Sequence, residues 1–348
     1  MLRTIAVVTT NGRGGVATAI NKLCRGLRLE GFDVRICLLG NNLLRAAYKD
    51  ALLMKSFAKF DAVIYMNSTP APDYVINRVP IKAIFIHGLI DEEIVNSVRH
   101  ANLSGKIRSL FTLIYREALK LTGPAPDFYI YQSESMRMAN YCDSDSVVLP
   151  QYILPSEIKY FQTFVSKLSI PETHNFTILT YFPLVESSRL LRTNHIIKLA
   201  ELLTYSLKRE FQIIIVGAPF TGYLTDRVKV MDFLHRDDFL NLLASSDLYI
   251  ERCTDEELGY TALEAGLLGV PVAKITRQSV LGRCDYSNEQ VINSTSLKGL
   301  AEQISDYCSG SVSSPYKGPK NMKEWLIGHR SWDAVKRPLL RRLTEYSN

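Results

Sequence analysis

Residues 256–272 read EELGYTALEAGLLGVPV and carry two glutamates, Glu256 and Glu264, eight positions apart. Gly259 lies between these acids, an apolar segment of helical character follows, and a Gly-x-Pro turn then leads into β-branched residues. This order predicts a loop, a helix, a turn and a buried strand. The N-terminus of such a helix presents backbone N–H groups beyond its end, which suit a phosphate group.

The two acids stand on either side of the predicted helix start. Glu256 precedes the helix, and Glu264 lies just inside it. Carboxylates accept hydrogen bonds from hydroxyl groups, so a pair of them can hold a sugar. A phosphate position beside paired acids indicates an enzyme that acts on a nucleotide sugar.

The composition limits the classes of protein to consider. The chain has 348 residues, enough for two domains, and its 47% hydrophobic content is typical of a globular protein. We expect no secretory signal and no membrane span, because every apolar run is far shorter than the ~20 residues that a span needs. Six scattered cysteines without a Cys-x-x-Cys pair favour reduced thiols and a cytoplasmic location. The net charge of +6 fits an anionic ligand or membrane surface, and we expect no nucleic-acid partner.

Strand-like and helix-like segments alternate along both halves of the chain, which predicts two Rossmann-like parallel sheets in tandem. The pattern thins between residues 150 and 174, where we expect a linker. The main predicted strands are 4–9, 34–39, 62–66, 83–86 and 128–131 in the first half, and 176–180, 212–216, 228–231, 248–250 and 272–275 in the second.

A glycine-rich turn follows the first predicted strand. Residues 12–17 read GRGGVA and fit the dinucleotide fingerprint Gly-x-Gly-x-x-Ala. That fingerprint needs an acid about twenty residues further on, at the end of the second strand. No acid occurs between Asp33 and Asp50, so an NAD-type site is disfavoured. A loop that approaches another phosphate and a plain tight turn both remain open.

Three further positions carry side chains suited to ligand binding. His87 follows the strand 83–86 and would stand at its carboxyl end, as a ligand contact or as a packed loop histidine. Arg189 and Arg192 follow the first strand of the second half and would face a diphosphate or solvate a loop.

The sequence has no His-x-x-x-His pair, so we expect no metal site.

The segment 104–121 is basic and amphipathic. It predicts either an interfacial helix on anionic lipid or a crossover helix that covers the first sheet. The crossover helix is the favoured interpretation, because the apolar face is no larger than packing requires.

Residues 256–272 resemble the donor-site signature of retaining GT-B glycosyltransferases of family 4. That signature is Glu, seven intervening residues and Glu, followed by Ala-x-x-x-Gly-x-Pro-Val. Weaker likenesses extend over nearly the whole chain, at residues 14–34, 86–88, 130–134 and 331–333. The resemblance implies an α/β protein of GT-B architecture, in which two Rossmann-like parallel-sheet domains face a cleft and a C-terminal helix crosses back to the first domain.

The expected boundaries are 1–155 for an N-terminal acceptor domain, 170–328 for a nucleotide-sugar donor domain and 329–348 for the returning C-terminal helix. The resemblance also implies roles for individual residues. Glu256 would contact the transferred sugar, His87 would sit by its reacting face, and Glu264 would hold the ribose hydroxyls. The implied diphosphate contacts are the backbone amides of Tyr260 and Thr261 after Gly259, together with the close approach of Gly14 and Gly15.

The sequence departs from the family pattern at the diphosphate. The family places an arginine after the first strand of the second domain and a lysine about five residues later, whereas this chain has residues 181–183, YFP, and a longer loop. Arg189 or Arg192 would substitute for these cations. Arg252 is a further candidate, because Glu251 and Arg252 replace the customary Pro-Ser before the acidic motif.

The resemblance therefore implies a metal-independent, cofactor-free, retaining hexosyltransferase-like enzyme. It would use a UDP- or GDP-sugar donor and a glycan, lipid or protein-linked acceptor. We expect it in the cytoplasm, and the segment 104–121 or the basic tail would allow peripheral contact with the inner face of a membrane. The alternatives are a catalytically weak sugar-nucleotide-binding protein and a nucleotide-sugar epimerase of the same fold. The cations of the basic tail are Lys336, Arg337, Arg341 and Arg342.

Overall fold

A computed structural model gives the fold of this chain. It describes residues 3–9, 14–38, 59–66, 79, 81–86, 126–139, 145–167, 175–182, 191–217, 221–254, 257–279, 281–287, 290–310 and 322–346. Two compact units make up the chain: Met1–Pro150 with Trp332–Asn348, and Gln151–Ser331.

Both units are α/β. The strands are β1 Thr4–Thr9, β2 Asp33–Leu38, β3 Ala62–Met66, β4 Ile81–Ile86, β5 Phe128–Tyr131, β6 Ser146–Val148, β7 Phe176–Tyr181, β8 Phe211–Val216, β9 Gly222–Thr225, β10 Val228–Met231, β11 Leu248–Glu251, β12 Val272–Ile275 and β13 Val291–Ser294. The helices are α1 Gly14–Leu29, α2 Glu134–Ala139, α3 Pro155–Val165, α4 Thr193–Ser206, α5 Arg236–Ala244, α6 Tyr260–Leu268, α7 Leu297–Ser309, α8 Met322–Arg330, α9 Trp332–Val335 and α10 Arg337–Glu345.

The first unit contains a six-stranded sheet in the order β2-β1-β3-β4-β5-β6, with every pair parallel. Its central strands are apolar runs; all five residues of β3 are buried, as expected for a sheet covered on both faces. The chain passes from β1 to β2 on one side and returns to β3 on the other. The strand order therefore reverses between β1 and β3, next to the start of α1.

The C-terminal helices belong to the first unit. The indole of Trp332 is buried against α1, and a Cβ atom on Gly26 would lie 2.9 Å from three of its ring carbons. The indole Nε1 donates to Glu30 Oε1 at 2.9 Å, and Lys336 Nζ contacts the same oxygen at 2.8 Å. Further along, the ring of Tyr346 stacks on Phe128. The predicted return of the C-terminus to the first domain is confirmed.

The second unit contains a seven-stranded sheet in the order β13-β12-β11-β7-β8-β10-β9. All of its strand pairs are parallel except β9 with β10, at one edge. From β7 the chain moves outward through β8, and it later returns to β11 and moves the other way. The reversal therefore falls between β7 and β11. Buried apolar side chains cover both faces of the sheet, which gives this unit its own core.

The interval 150–174, where the sequence predicts a linker, contains α3 and is folded into the second unit up to Lys167. Phe161 of α3 is buried in the core of that unit, and Ile153 N donates to Arg330 O at 2.7 Å. The chain leaves the first unit after Pro150 and re-enters it after Ser331, whereas the sequence places these boundaries at 155 and 328. Proline at the first position of α3 explains why a helix can begin in a segment that looks like a linker.

Helix α6 has the ends that its sequence predicts. Gly259 is its N-cap, and Gly269 follows it with φ +83°, a left-handed conformation that favours glycine. The N–H of Val270 then bonds to Ala265 O at 2.8 Å, and the chain turns at Pro271 into β12. This closed turn fixes the direction of α6 relative to the neighbouring strands.

The described helices include none with both the length and the apolar character needed to cross a membrane.

Candidate functional site

The candidate site lies at the carboxyl edge of the second sheet, where the strand order reverses. Ligands of open α/β sheets bind at such a point, because the loops leaving two neighbouring strands separate there and leave a crevice. Here β7 is followed by the loop that leads to α4, and β11 by the loop that leads to α6. Two helix N-termini, with their partial positive charge, therefore begin beside the crevice.

The N-terminus of α6 is shaped by a carboxylate from β11. Glu251 is buried; its Oε2 accepts from Gly259 N at 3.1 Å and its Oε1 from Cys253 N at 2.9 Å. A Cβ atom on Gly259 would lie 2.7 Å from Oε2, so only glycine leaves room for the carboxylate. The N–H groups of the following first turn point past the helix end, as in any α-helix. The hydrogen bond from Gly259 N to Glu251 thus fixes where α6 begins.

Glu264 lies one turn into α6 and is held by an arginine. Arg236, the first residue of α5, donates from its two terminal nitrogens to Glu264 Oε2 at 2.8 Å and Oε1 at 2.5 Å. The Glu264 side chain is 15% exposed, whereas that of Arg236 is 52% exposed. Such a two-point contact fixes the plane of the carboxylate as well as its position.

A buried tyrosine, Tyr249, lies close enough to Glu251 and Glu264 to be affected by their charges. Burial raises the pKa of the Tyr249 hydroxyl well above its usual value, and the negative charge of Glu251 adds to the shift. Its hydrogen bond with the Thr261 side chain acts in the opposite direction. Glu264 contributes a smaller charge effect of the same sign as Glu251. The predicted residues Thr261 and Glu264 are thus brought together on the same side of α6, over Tyr249.

Two of the predicted diphosphate cations lie beside the crevice. Arg192 is the N-cap residue of α4 and is exposed, and its own N–H donates to His195 Nδ1 at 3.1 Å. Arg252 is only 2% exposed. Its Nε donates to Leu191 O at 2.5 Å, and its guanidinium lies 4.3 Å from the centroid of the Phe182 ring. Arg252 therefore ties the loop after β11 to the loop before α4.

The remaining predicted site residues divide into two groups. Gly14 and Gly15 form the start of α1, beside the point where the strand order of the first sheet reverses. Three predicted residues lie outside the described part of the chain, namely His87, Glu256 and Arg189.

A fully buried lysine contacts the backbone at Glu257, and the sequence patterns do not single it out. Lys274 of β12 is 0% exposed and donates from Nζ to Glu257 O at 2.6 Å. It is the strand partner of Glu251 in the β11–β12 register. A charged residue inside an otherwise apolar strand was the available signal, because burying an ammonium group is costly unless its partners are in place. The sequence gives no comparable indication for Arg236, which lies at the start of a helix and is half exposed.

The cations of the C-terminal tail are largely engaged within the first unit. Lys336 contacts Glu30 and Asp333, and Arg342 contacts Asp145 and Glu345. Arg341 also contacts Glu345, at 3.3 Å. In the described part of the chain no three His, Cys, Asp or Glu side chains form a group that could hold a metal ion.

No protein-family model matches the chain, and no curated protein matches it in sequence. Its structure is similar to HepE from Anabaena in complex with UDP-glucose, with a TM-score of 0.63 and 15% identity over 98% of this chain and 99% of that chain. Sucrose-phosphate synthase from Thermosynechococcus elongatus gives a TM-score of 0.67 at 15% identity, over 99% of this chain and 100% of that chain. WaaG, a glycosyltransferase involved in lipopolysaccharide biosynthesis, gives 0.57 at 16% identity, over 97% and 98%. These similarities show that the chain has the GT-B fold.

Proposed function

We propose that this protein is a retaining glycosyltransferase that moves a sugar from a nucleotide diphosphate-sugar to an acceptor. One observation carries the proposal: at the strand-order reversal of the second sheet, α6 begins directly after its N-cap Gly259 and presents the mostly buried carboxylate of Glu264 one turn later. The sequence alone also predicts a phosphate and a sugar at this helix. The likeness to HepE supports the proposal, because that protein was solved with UDP-glucose and with UDP and glucose.

The spacing along α6 fits a nucleotide. The amides of Tyr260 and Thr261 would hold the diphosphate, and Glu264 would accept hydrogen bonds from the ribose hydroxyls. Residues 261 and 264 are three positions apart, so they share one face and are separated by about 4.5 Å along the helix axis. Glu256 would contact the transferred sugar.

Three residues of the first unit carry further proposed roles. Gly14 and Gly15 have no side chain beyond Cα, so the start of α1 could approach the diphosphate closely. His87 would lie by the reacting face of the sugar. In a retaining reaction of this kind, the acceptor attacks the face from which the diphosphate leaves.

Charge develops on the diphosphate as it leaves. We propose that the dipoles of α4 and α6, with Arg192 or Arg189, offset this charge without a metal ion or other cofactor. Arg252 is buried, so in this proposal it orients the loop before α4 and does not contact the diphosphate. A chelator should then leave the turnover of the purified protein unchanged, and activity restored only by Mg²⁺ or Mn²⁺ would contradict this part of the proposal.

A thermal-shift screen of UDP- and GDP-sugars, followed by transfer assays with the stabilising donor, tests the function. A ligand that binds the folded state raises the unfolding temperature by mass action. We expect Glu256→Ala to abolish sugar transfer and donor hydrolysis, and Glu264→Ala to weaken donor binding. Glu302→Ala, an exposed glutamate of α7, is the matched control and should change neither. If Glu256→Ala transfers sugar as well as the unaltered protein, the assignment of Glu256 is wrong.

A sugar-nucleotide-binding protein without turnover is the second candidate, and the burial of Arg252 favours it. A guanidinium that is 2% exposed and bonded to Leu191 O cannot reach a diphosphate as a flexible loop arginine would. Binding of a nucleotide sugar with no transfer to any glycan, lipid or peptide acceptor would support this candidate. Conversion of the donor with no acceptor present would instead indicate an epimerase.

We propose that the protein works in the cytoplasm on a glycan or lipid acceptor, with peripheral contact at the inner face of a membrane. The feature behind this proposal is the basic, amphipathic segment 104–121, for which a crossover helix is the favoured interpretation and an interfacial helix the alternative. The segment lies outside the described residues. Flotation with anionic vesicles at low and high salt tests it, because electrostatic attachment weakens as salt rises. Absence of the protein from the vesicle fraction at low salt would contradict membrane contact.

A further inference from the structure

We propose that Arg236 is a positioning residue for Glu264 and makes the nucleotide site selective for a ribose over a 2′-deoxyribose. This inference rests on the proposed function, in which Glu264 receives the ribose hydroxyls. Arg236 belongs to none of the sequence motifs that suggest a sugar-nucleotide site. The Arg236 guanidinium donates hydrogen bonds to the Glu264 carboxylate, and in the proposed function that carboxylate accepts hydrogen bonds from the ribose.

The contact between the two side chains has the geometry of a fork. The two terminal nitrogens of Arg236 each donate to a different oxygen of Glu264, at 2.8 and 2.5 Å. Because a guanidinium is planar and its donors are fixed, both groups must lie near one plane. A lysine in this position would carry the same charge on a single ammonium group. It could not contact both oxygens in a fixed plane, so the carboxylate would remain free to rotate.

The arginine itself is held at the end of α5. It is the first residue of that helix, and the next residue, Asp237, accepts a hydrogen bond from the Tyr160 hydroxyl of α3 at 3.3 Å. Burial disfavours the charge of Arg236, yet its hydrogen bonds to Glu264 raise the pKa of the guanidinium overall. Helix α5 therefore contacts α3 through Asp237 and α6 through Arg236.

The fork leaves lone pairs available on both carboxylate oxygens. An ionised carboxylate offers about four acceptor sites, and the fork uses one on each oxygen. The two adjacent hydroxyls of a ribose can donate to the remaining sites at once only in a narrow range of carboxylate orientations. A plane that the arginine has already set removes the cost of fixing that orientation during binding. A 2′-deoxyribose has one hydroxyl fewer and gains less from this alignment.

Isothermal titration with UDP and GDP, each beside its 2′-deoxy counterpart, tests the inference in the full chain. We expect Arg236→Ala to weaken binding of the ribonucleotide that the unaltered protein prefers by at least about tenfold, the loss expected when a hydrogen bond to a charged group is disrupted. Binding of the 2′-deoxy nucleotide should change by less than about twofold. Arg236→Lys should behave like Arg236→Ala, because charge alone does not restore the fork.

Arg227→Ala is the matched control. Arg227 also contacts a glutamate, Glu210, through both terminal nitrogens, but the pair lies at the opposite, amino-terminal edge of the second sheet. Its loss should leave all four nucleotide affinities unchanged. In a Glu264→Ala background, Arg236→Ala should cause no further loss, since the arginine then has no carboxylate to position.

The outcomes separate the two proposals. If the unaltered protein binds neither UDP nor GDP, the proposed function fails. If it binds one of them and Arg236→Ala keeps the ribose preference, the positioning role is overturned. An equal loss for the ribose and deoxyribose nucleotides, with the same loss in Arg236→Lys, would also overturn it and would indicate a structural role.

Discussion

Glu251 places a buried carboxylate at the N-terminus of α6. Its carboxylate accepts the N–H of Gly259, the N-cap of α6, and the N–H of Cys253. A negative charge at this end is favourable for the helix, because the N-terminus carries partial positive charge. Glu251 therefore stabilises the start of α6.

A substitution at Gly259 tests this close packing. We expect Gly259→Ala to lower the free energy of unfolding by about 1–3 kcal/mol, because the added methyl group displaces a buried carboxylate from its hydrogen bonds. Urea denaturation followed by circular dichroism measures the loss. In a Glu251→Ala background the methyl group has room, so the same substitution should then cost little. A cost unchanged by Glu251→Ala would show that the glycine is needed for another reason.

The part of the site that lies within one helix was predictable from the sequence. The positions of Gly259 and Glu264 follow from the helical repeat once the start of α6 is recognised. Arg236 was not predictable, because its partner is 28 residues away and the contact depends on how α5 packs beside α6. The burial of Arg252 was equally hidden, since its partner Leu191 is 61 residues away.

Helices α6 and α8 show how a glycine can allow two elements to approach. Gly266 of α6 faces α8, where a Cβ atom would lie 2.6 Å from Leu326 Cδ1 and 2.9 Å from Met322 Cγ. Both of these side chains are buried, so they have little freedom to move aside. The close contact sets the position of α6 from the face opposite the site.

Two glycines in this helix pair should respond oppositely to the same change. Gly328 of α8 has no atom within 4 Å of the Cβ position, so Gly328→Ala should stabilise the second unit by up to about 1 kcal/mol through helix propensity. We expect Gly266→Ala to destabilise it by about 1–3 kcal/mol, because overpacking outweighs the same propensity gain. Thermal and urea unfolding of the two variants measure both effects. A stabilised Gly266→Ala variant would mean that α6 and α8 separate at little cost.

At the scale of elements, the alternation of apolar strands and amphipathic helices was enough to predict both parallel sheets. The strands missed by the sequence patterns are β6, β9 and β13. Each has only three or four residues, and β13 ends in Asn293 and Ser294. Short strands at the edge of a sheet carry little apolar signal, and their pairing is decided by the neighbouring strand rather than by their own residues.

At the scale of the whole molecule, the chain returns to its first unit after completing the second. The change of unit occurs between Ser331 and Trp332, and the indole of Trp332 then packs on α1 at Gly26. The last residues thus stabilise the unit that the first residues began. Loss of the C-terminal helices would expose the apolar side of α1, although they lie far from it in sequence.

Trp332→Ala should destabilise the first unit selectively. Removing a buried tryptophan costs about 3–5 kcal/mol, and the bond from Nε1 to Glu30 is lost with it. Hydrogen exchange measured by mass spectrometry should show faster exchange in peptides of α1 and β1. Peptides of β7, β8 and β11 serve as the internal control and should be unchanged. Faster exchange in both sets would show that the two units unfold together.

The chain passes from the second unit to the first between its two tryptophans, so each unit contains one fluorescent reporter. The chain has two tryptophans; Trp325 lies in the second unit and Trp332 in the first, on either side of the crossing. Trp325 stacks on His329 and lies edge-on to Tyr286, whereas Trp332 is enclosed against α1. The emission of a Trp332→Phe variant would therefore follow the second unit alone, and that of Trp325→Phe the first unit. The melting curves of the two variants, measured with and without an added nucleotide sugar, would show whether the ligand raises the unfolding temperature of one unit or of both.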